Sequence, residues 1–116
     1  MNLNEIADAL KINLSSSVAL FGNNEMLYIR FLKKFPNDKT FQALVDAVNS
    51  ENYEEIEKSA HTLKGISANL GFSELKSKSD NMVICIRNKN YSEIKNLFDI
   101  VDEEYNNIIN LIATLD

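Results

Sequence analysis

Apolar residues recur at spacings of three and four along most of the chain, and short polar links separate the longest of these runs. That period predicts helices. It is clearest over 52–72, NYEEIEKSAHTLKGISANLGF, where Ile56, Ala60, Leu63, the small Ser67 and Leu70 form one inward stripe. Asn52 and Glu55 have the spacing of a capping box at its start. At its end, Gly71 can take the left-handed conformation and Phe72 can fold back on the last turn, as in a Schellman ending.

The other elements follow in order. Residues 4–12 form a short amphipathic segment with Asn4 as its cap and Ile6, Ala7 and Leu10 inward; 15–21 add a turn or two before Gly22. Helices this short need packing to hold them. From Glu25 to Phe35 the inward residues are Leu27, Phe31, Leu32 and Phe35, and Pro36 then ends or kinks the helix. The pattern resumes over 38–48 with Phe41, Leu44, Val45 and Val48. Ser73 is placed to cap a helix running to about Asn88, with Leu75, Ser79, Met82 and Ile86 inward and Val83 at the margin. Asn90 and Glu93 repeat the capping-box spacing before a last helix with Ile94, Leu97, Val101, Tyr105, Ile108, Ile112 and Leu115 on one side. No stretch alternates between hairpin turns. The expected fold is all-α: one domain over 1–116, with accessory helices at about 4–21 and an antiparallel four-helix bundle at about 24–115.

Composition narrows the function. One proline and three glycines in 116 residues suit long helices rather than a turn-rich fold. A net charge of −5 argues against nonspecific binding to nucleic acid or anionic membrane. No apolar run approaches the ~20 residues that span a bilayer. Cys85 stands alone, so no internal disulfide forms, which agrees with a cytoplasmic location. One bundle accounts for the apolar positions, so a monomer is expected, and Met1 with a complete-looking last helix suggests a freestanding protein.

The candidate chemistry lies on the outer face of the 52–72 helix. His61, the only histidine, points ~150° from the centre of the apolar stripe, and Glu57, Lys64, Gly65 and Ala68 share its side. A glycine inside a helix costs roughly 1 kcal/mol relative to alanine, so Gly65 asks for a reason. A second histidine to complete a zinc set is lacking, no nucleophile is visibly placed for a hydrolytic triad, and there is no glycine-rich phosphate loop. No cofactor is therefore expected on this chain. An imidazole keeps a nucleophilic nitrogen near neutral pH, so His61 is a candidate phosphoryl carrier, with Lys64 offsetting charge and Gly65 leaving room. The residues alone leave a second reading open: a solvated surface histidine, with Gly65 permitting close helix packing.

The run His61–Gly71, HTLKGISANLG, resembles the signature of histidine-containing phosphotransfer (HPt) domains of multistep phosphorelays. In that family the histidine is followed by Leu-Lys-Gly and then a small residue, Asn and Gly; the matching positions are Leu63, Lys64, Gly65, Ser67, Asn69 and Gly71. Asn52 stands where the family often has Asp, and Phe21-Gly22 with 27–35 is similar to the family's N-terminal part, so the resemblance reaches from about 14 to 115. It implies a helical bundle that accepts a phosphoryl group from a receiver-domain aspartate and passes it to another receiver, without ATP-dependent kinase activity of its own. His61 would be the phosphoacceptor, Lys64 would neutralise the phosphoryl group, and Gly65 would keep its approach open. The implied partners are receiver domains of response regulators or of a hybrid histidine kinase, with Mg2+ expected in the receiver. Lys58, Ala68, Asn69, Lys76 and Val83 are candidates for the docking surface. The sequence departs from the family at Val83, where many members carry a Gln or Glu that hydrogen-bonds the histidine ring. That departure leaves an alternative, a helical adaptor that binds a receiver or other signalling protein without taking phosphate.

Overall fold

The computed structural model describes all residues, Met1–Asp116, as seven α-helices without strands: α1 (Leu3–Leu10), α2 (Leu14–Ala19), α3 (Glu25–Lys34), α4 (Thr40–Asn49), α5 (Tyr53–Leu70), α6 (Ser73–Arg87) and α7 (Ile94–Ile112). Short 3-10 turns at Phe35–Asn37 and Tyr91–Glu93 precede α4 and α7. Helices α4 to α7 pack in sequence, and α4 also meets α7, closing a four-membered bundle; α3 extends it along α5. The all-α bundle with accessory N-terminal helices is the architecture that the apolar period predicts.

Local chemistry explains most of the boundaries. The Asn52 side chain accepts the Glu55 backbone N–H at 3.2 Å and starts α5, but the expected box is only half formed, because the Asn52 N–H donates to the Ala47 carbonyl at 3.0 Å instead of to the Glu55 side chain. Gly71 ends it at φ 86°, with the Phe72 N–H donating to the Ser67 carbonyl at 2.9 Å and the Gly71 N–H to Ala68, the paired bonds of a Schellman motif. Phe72 then turns inward, its ring 5.1 Å from that of Phe35. Pro36 lies in the 3-10 turn that ends α3, and Asp38 is extended before α4 begins, so the chain breaks here rather than continuing as one bent helix.

Three expected caps differ. Asn2, not Asn4, starts α1 through a reciprocal capping box with Glu5. Phe72 occupies the N-cap of α6 and Ser73 is already helical, because the Schellman turn leads straight into the next helix. Asn90 makes no side-chain cap; the Ser92 hydroxyl donates to it instead, and a 3-10 turn fills the link.

A single cluster of 25 buried apolar side chains runs through the bundle and includes Leu3, Ile6, Ala7, Leu10 and Ile12, so the N-terminal helices are part of the core. All five residues of the expected α5 stripe are buried. Helix α3 is rotated relative to expectation: Tyr28 is fully buried whereas Phe31 is 43% exposed. A buried phenol needs a partner, and the Tyr28 hydroxyl donates to the Leu70 carbonyl at 2.6 Å, one of the acceptors left free at the end of α5. On α7, Phe98 is buried and the expected Leu97 and Tyr105 lie at the margin of the core.

Candidate functional site

The inward stripe of α5 leaves His61 exposed on the opposite side, in the middle of the longest well-capped stretch next to α6. Gly65, one turn on, is exposed, and a Cβ built there would meet nothing within 4 Å. Close helix packing therefore does not explain this glycine. It lies beside open space on the histidine face.

Lys64 does not stand free. Its ammonium reaches across to α6 and donates to the Asp80 carboxylate at 2.9 Å, both side chains about one-third exposed. One turn to the other side of His61, Glu57 meets Arg87 of α6 at 3.5 Å. These pairs fix the antiparallel register of the two helices: 64 lies level with 80, and 57 with 87. By the same register His61 is level with Val83. The histidine is thus the middle rung of a ladder whose outer rungs are cross-helix ion pairs.

Val83 needs correction as a docking residue. It is 1% exposed, because α6 turns it into the core beside Met82 and presents Ile84, 48% exposed, to solvent. Ile84 follows Asp80 by four residues and precedes Arg87 by three, so it shares their face. Neither Val83 nor Ile84 has a polar side-chain atom to hold the imidazole. The other candidates are exposed: Lys58, Ala68 and Asn69 on α5 and Lys76 on α6. Neither Lys58 nor Lys76 has an ion-pair partner.

Beside this face stand exposed apolar side chains that belong to no inward helical stripe. Leu20 is 67% exposed, Met26 79% and Phe31 43%. A groove of about 510 Å3 runs between Leu20, Phe31 and α5, lined by Leu20, Phe21, Phe31, Ile66, Asn69 and Leu70 together with Lys34, Phe35 and Asp38. Phe21 and Phe31 support it with rings 5.2 Å apart. Its signal was present in the sequence as Leu20-Phe21 and Met26, apolar residues that no single stripe absorbs.

Other chemistry is weak. No three His, Cys, Asp or Glu side chains converge into a metal-binding group. The Cys85 thiol is buried and donates to the Asn90 carbonyl at 2.9 Å; burial first, and then the Glu93 carboxylate, push its pKa up, away from a reactive thiolate.

Comparison with known proteins agrees with this geometry. The family model described as the Hpt domain matches residues 31–111, well over half of the chain. The chain belongs to the Hpt domain family. Among curated proteins, the chemotaxis protein CheA of Listeria monocytogenes serovar 1/2a is 35% identical over 68 residues, and that of Listeria innocua serovar 6a is equally similar. Each alignment covers 56% of this chain and 11% of the relative, so the Hpt-like chain corresponds to a small part of those proteins. No solved structure gives a significant match. Family membership assigns the chain to histidine phosphotransfer in phosphorelay signalling.

Proposed function

We propose that the protein is a phosphorelay intermediate in which His61 takes a phosphoryl group from a receiver-domain aspartate and gives it to a second receiver. The observation that carries this reading is the exposed imidazole at mid-helix with open space over Gly65, in a chain of the Hpt family. The unprotonated ring nitrogen attacks phosphorus, the bond from phosphorus to the aspartyl oxygen breaks, and the electron pair leaves with the carboxylate. The other ring nitrogen keeps its proton. The reverse step loads the second receiver. Mg2+ belongs to the receiver's acidic site in this scheme, while the small helical domain supplies an acceptor and a surface.

The receiver docks across the His61 face and the groove at Leu20 and Phe31, which Ile66 and Asn69 of the same helix α5 also line. Unpaired Lys58 and Lys76 supply positive charge toward an acidic site, although the chain as a whole carries −5. Exposed apolar side chains rimmed by charge are the usual form of such contacts.

The test is phosphate transfer from a panel of phosphorylated receivers. Wild-type protein should gain one acid-labile, base-stable phosphoryl group, and His61→Gln should gain none while keeping its helical circular dichroism spectrum. Receiver binding without phosphate uptake across the panel would favour the adaptor reading. Undiminished uptake by His61→Gln would remove the site assignment.

A further inference from the structure

The two cations that flank His61 along the α5–α6 ladder are already engaged. Lys64 is held by Asp80 at 2.9 Å and Arg87 by Glu57 at 3.5 Å. The Lys64 pair is the shorter and the less exposed of the two, at 33% and 35% against 60% and 39%. A phosphoryl group on His61 would bring close to two negative charges within a turn of Lys64, and it would compete with Asp80 for the same ammonium. Nothing on the α6 side compensates. Level with the ring are Val83, buried, and Ile84, apolar.

We propose that Asp80 is a positioning residue that sets the phosphoryl-transfer potential of His61 by holding Lys64. The inference rests on the reading of His61 as the phosphoacceptor. With Asp80 in place, Lys64 is shared between two anions, so phosphohistidine is stabilised less than a free lysine would allow and the group is more readily given up. Without the Asp80 charge, Lys64 turns fully to the phosphoryl group and the phosphorylated form gains population. Asp80 touches no reacting atom; it acts through the lysine.

An equilibrium measurement isolates this effect from docking. Phosphoramidate is a small donor that needs no receiver surface: its P–N bond breaks, a new P–N bond forms to the ring nitrogen, and ammonia leaves with the electron pair. At a fixed ratio of phosphoramidate to ammonia, the ratio of phosphorylated to free His61, read by 31P NMR and intact mass, reports the relative stability of the two forms. Asp80→Asn should raise that ratio about two- to five-fold, the range that a partly exposed ion pair commands. Asp80→Glu, which keeps the charge, should restore the wild-type ratio. In a Lys64→Ala background the Asp80→Asn change should lose most of its effect.

Because Asp80 and Lys64 lie at the surface, circular dichroism should be unchanged throughout. An Asp80→Asn ratio equal to wild type would overturn the proposal. So would an equal rise in the Lys64→Ala background, which would mean that Asp80 repels the phosphoryl group directly. Absence of phosphate on wild-type His61 would overturn the acceptor assignment itself, and this inference with it, and is told apart by its occurrence in every variant.

Discussion

Gly65 offers a test in which stability and function move in opposite directions. The residue is helical, exposed and outside the positive-φ region, and a Cβ there meets nothing within 4 Å. Replacing it with alanine therefore restores backbone rigidity without steric cost. The helix-propensity difference is about 1 kcal/mol, which for a domain of this size raises the melting temperature by ~4 °C. Gly65→Gln should keep part of that gain, since glutamine is also a good helix former. Its longer side chain, however, lies one turn from His61, on the face where the proposed reaction brings phosphorus in. Displacing the donor by about 1 Å costs on the order of 100-fold in rate. Thermal melts followed by circular dichroism and phosphate uptake from a phosphorylated receiver separate the two effects. The expected outcome is a more stable protein that accepts phosphate poorly. A Gln variant that melts lower than wild type would show that the glycine serves packing. A Gln variant that transfers at the wild-type rate would show that the open space is not used.

Two further perturbations probe how the end of α5 is held. Tyr28→Phe leaves the Leu70 carbonyl without its buried donor and should cost about 1–2 kcal/mol in urea or thermal unfolding. Burial pushes the Tyr28 phenol up to about 12, against a smaller downward pull from a hydrogen bond with Ser17. The raised folded-state value means that this contribution is complete below the unfolded tyrosine value near 10 and is lost as pH rises from there to about 12. Unfolding midpoints in that window should fall less steeply in Tyr28→Phe than in wild type. Gly71→Ala places a Cβ on the Ser17 hydroxyl and 3.0 Å from Ile12 Cγ2, at φ 86°. The left-handed backbone and the overpacking together should destabilise by ~3 kcal/mol, measured by the same melts.

Much of the molecule was legible because helix signals are local. The α5 stripe, its Asn52 cap and its Schellman ending all act within a few residues, and each is found where its chemistry placed it. The outward direction of His61 followed from the same period. What failed depends on partners distant in sequence. Tyr28 and Phe31 lie on adjacent edges of α3, and local spacing permits either to turn inward. The Leu70 carbonyl, 42 residues away, satisfies the phenol and lets Tyr28 fill the core. Phe31 is then left partly exposed, lining the groove with Leu20. Cap placement failed where two helices share a turn, as at Phe72–Ser73, because one backbone geometry serves both ends.

The site itself shows the same division more sharply. Helix spacing put Lys64 beside His61 and the family resemblance put Val83 opposite the ring, and both heights hold in the register of the two ion pairs. Neither gave the side-chain partners. An exposed lysine next to a histidine reads as a free counter-charge, whereas antiparallel packing of α5 on α6 gives that lysine a carboxylate of its own. Likewise a valine in place of a hydrogen-bonding side chain reads as a gap in the site, whereas its burial makes it part of the core at the height of the ring. Both changes point the same way. Along this face the domain positions His61 by its place on the helix, no polar side chain of α6 standing level with the ring, and it pairs the nearest ammonium with Asp80. If His61 is the acceptor proposed above, that pairing leaves the phosphorylated form only modestly stabilised, as a relay intermediate requires for the group to move on.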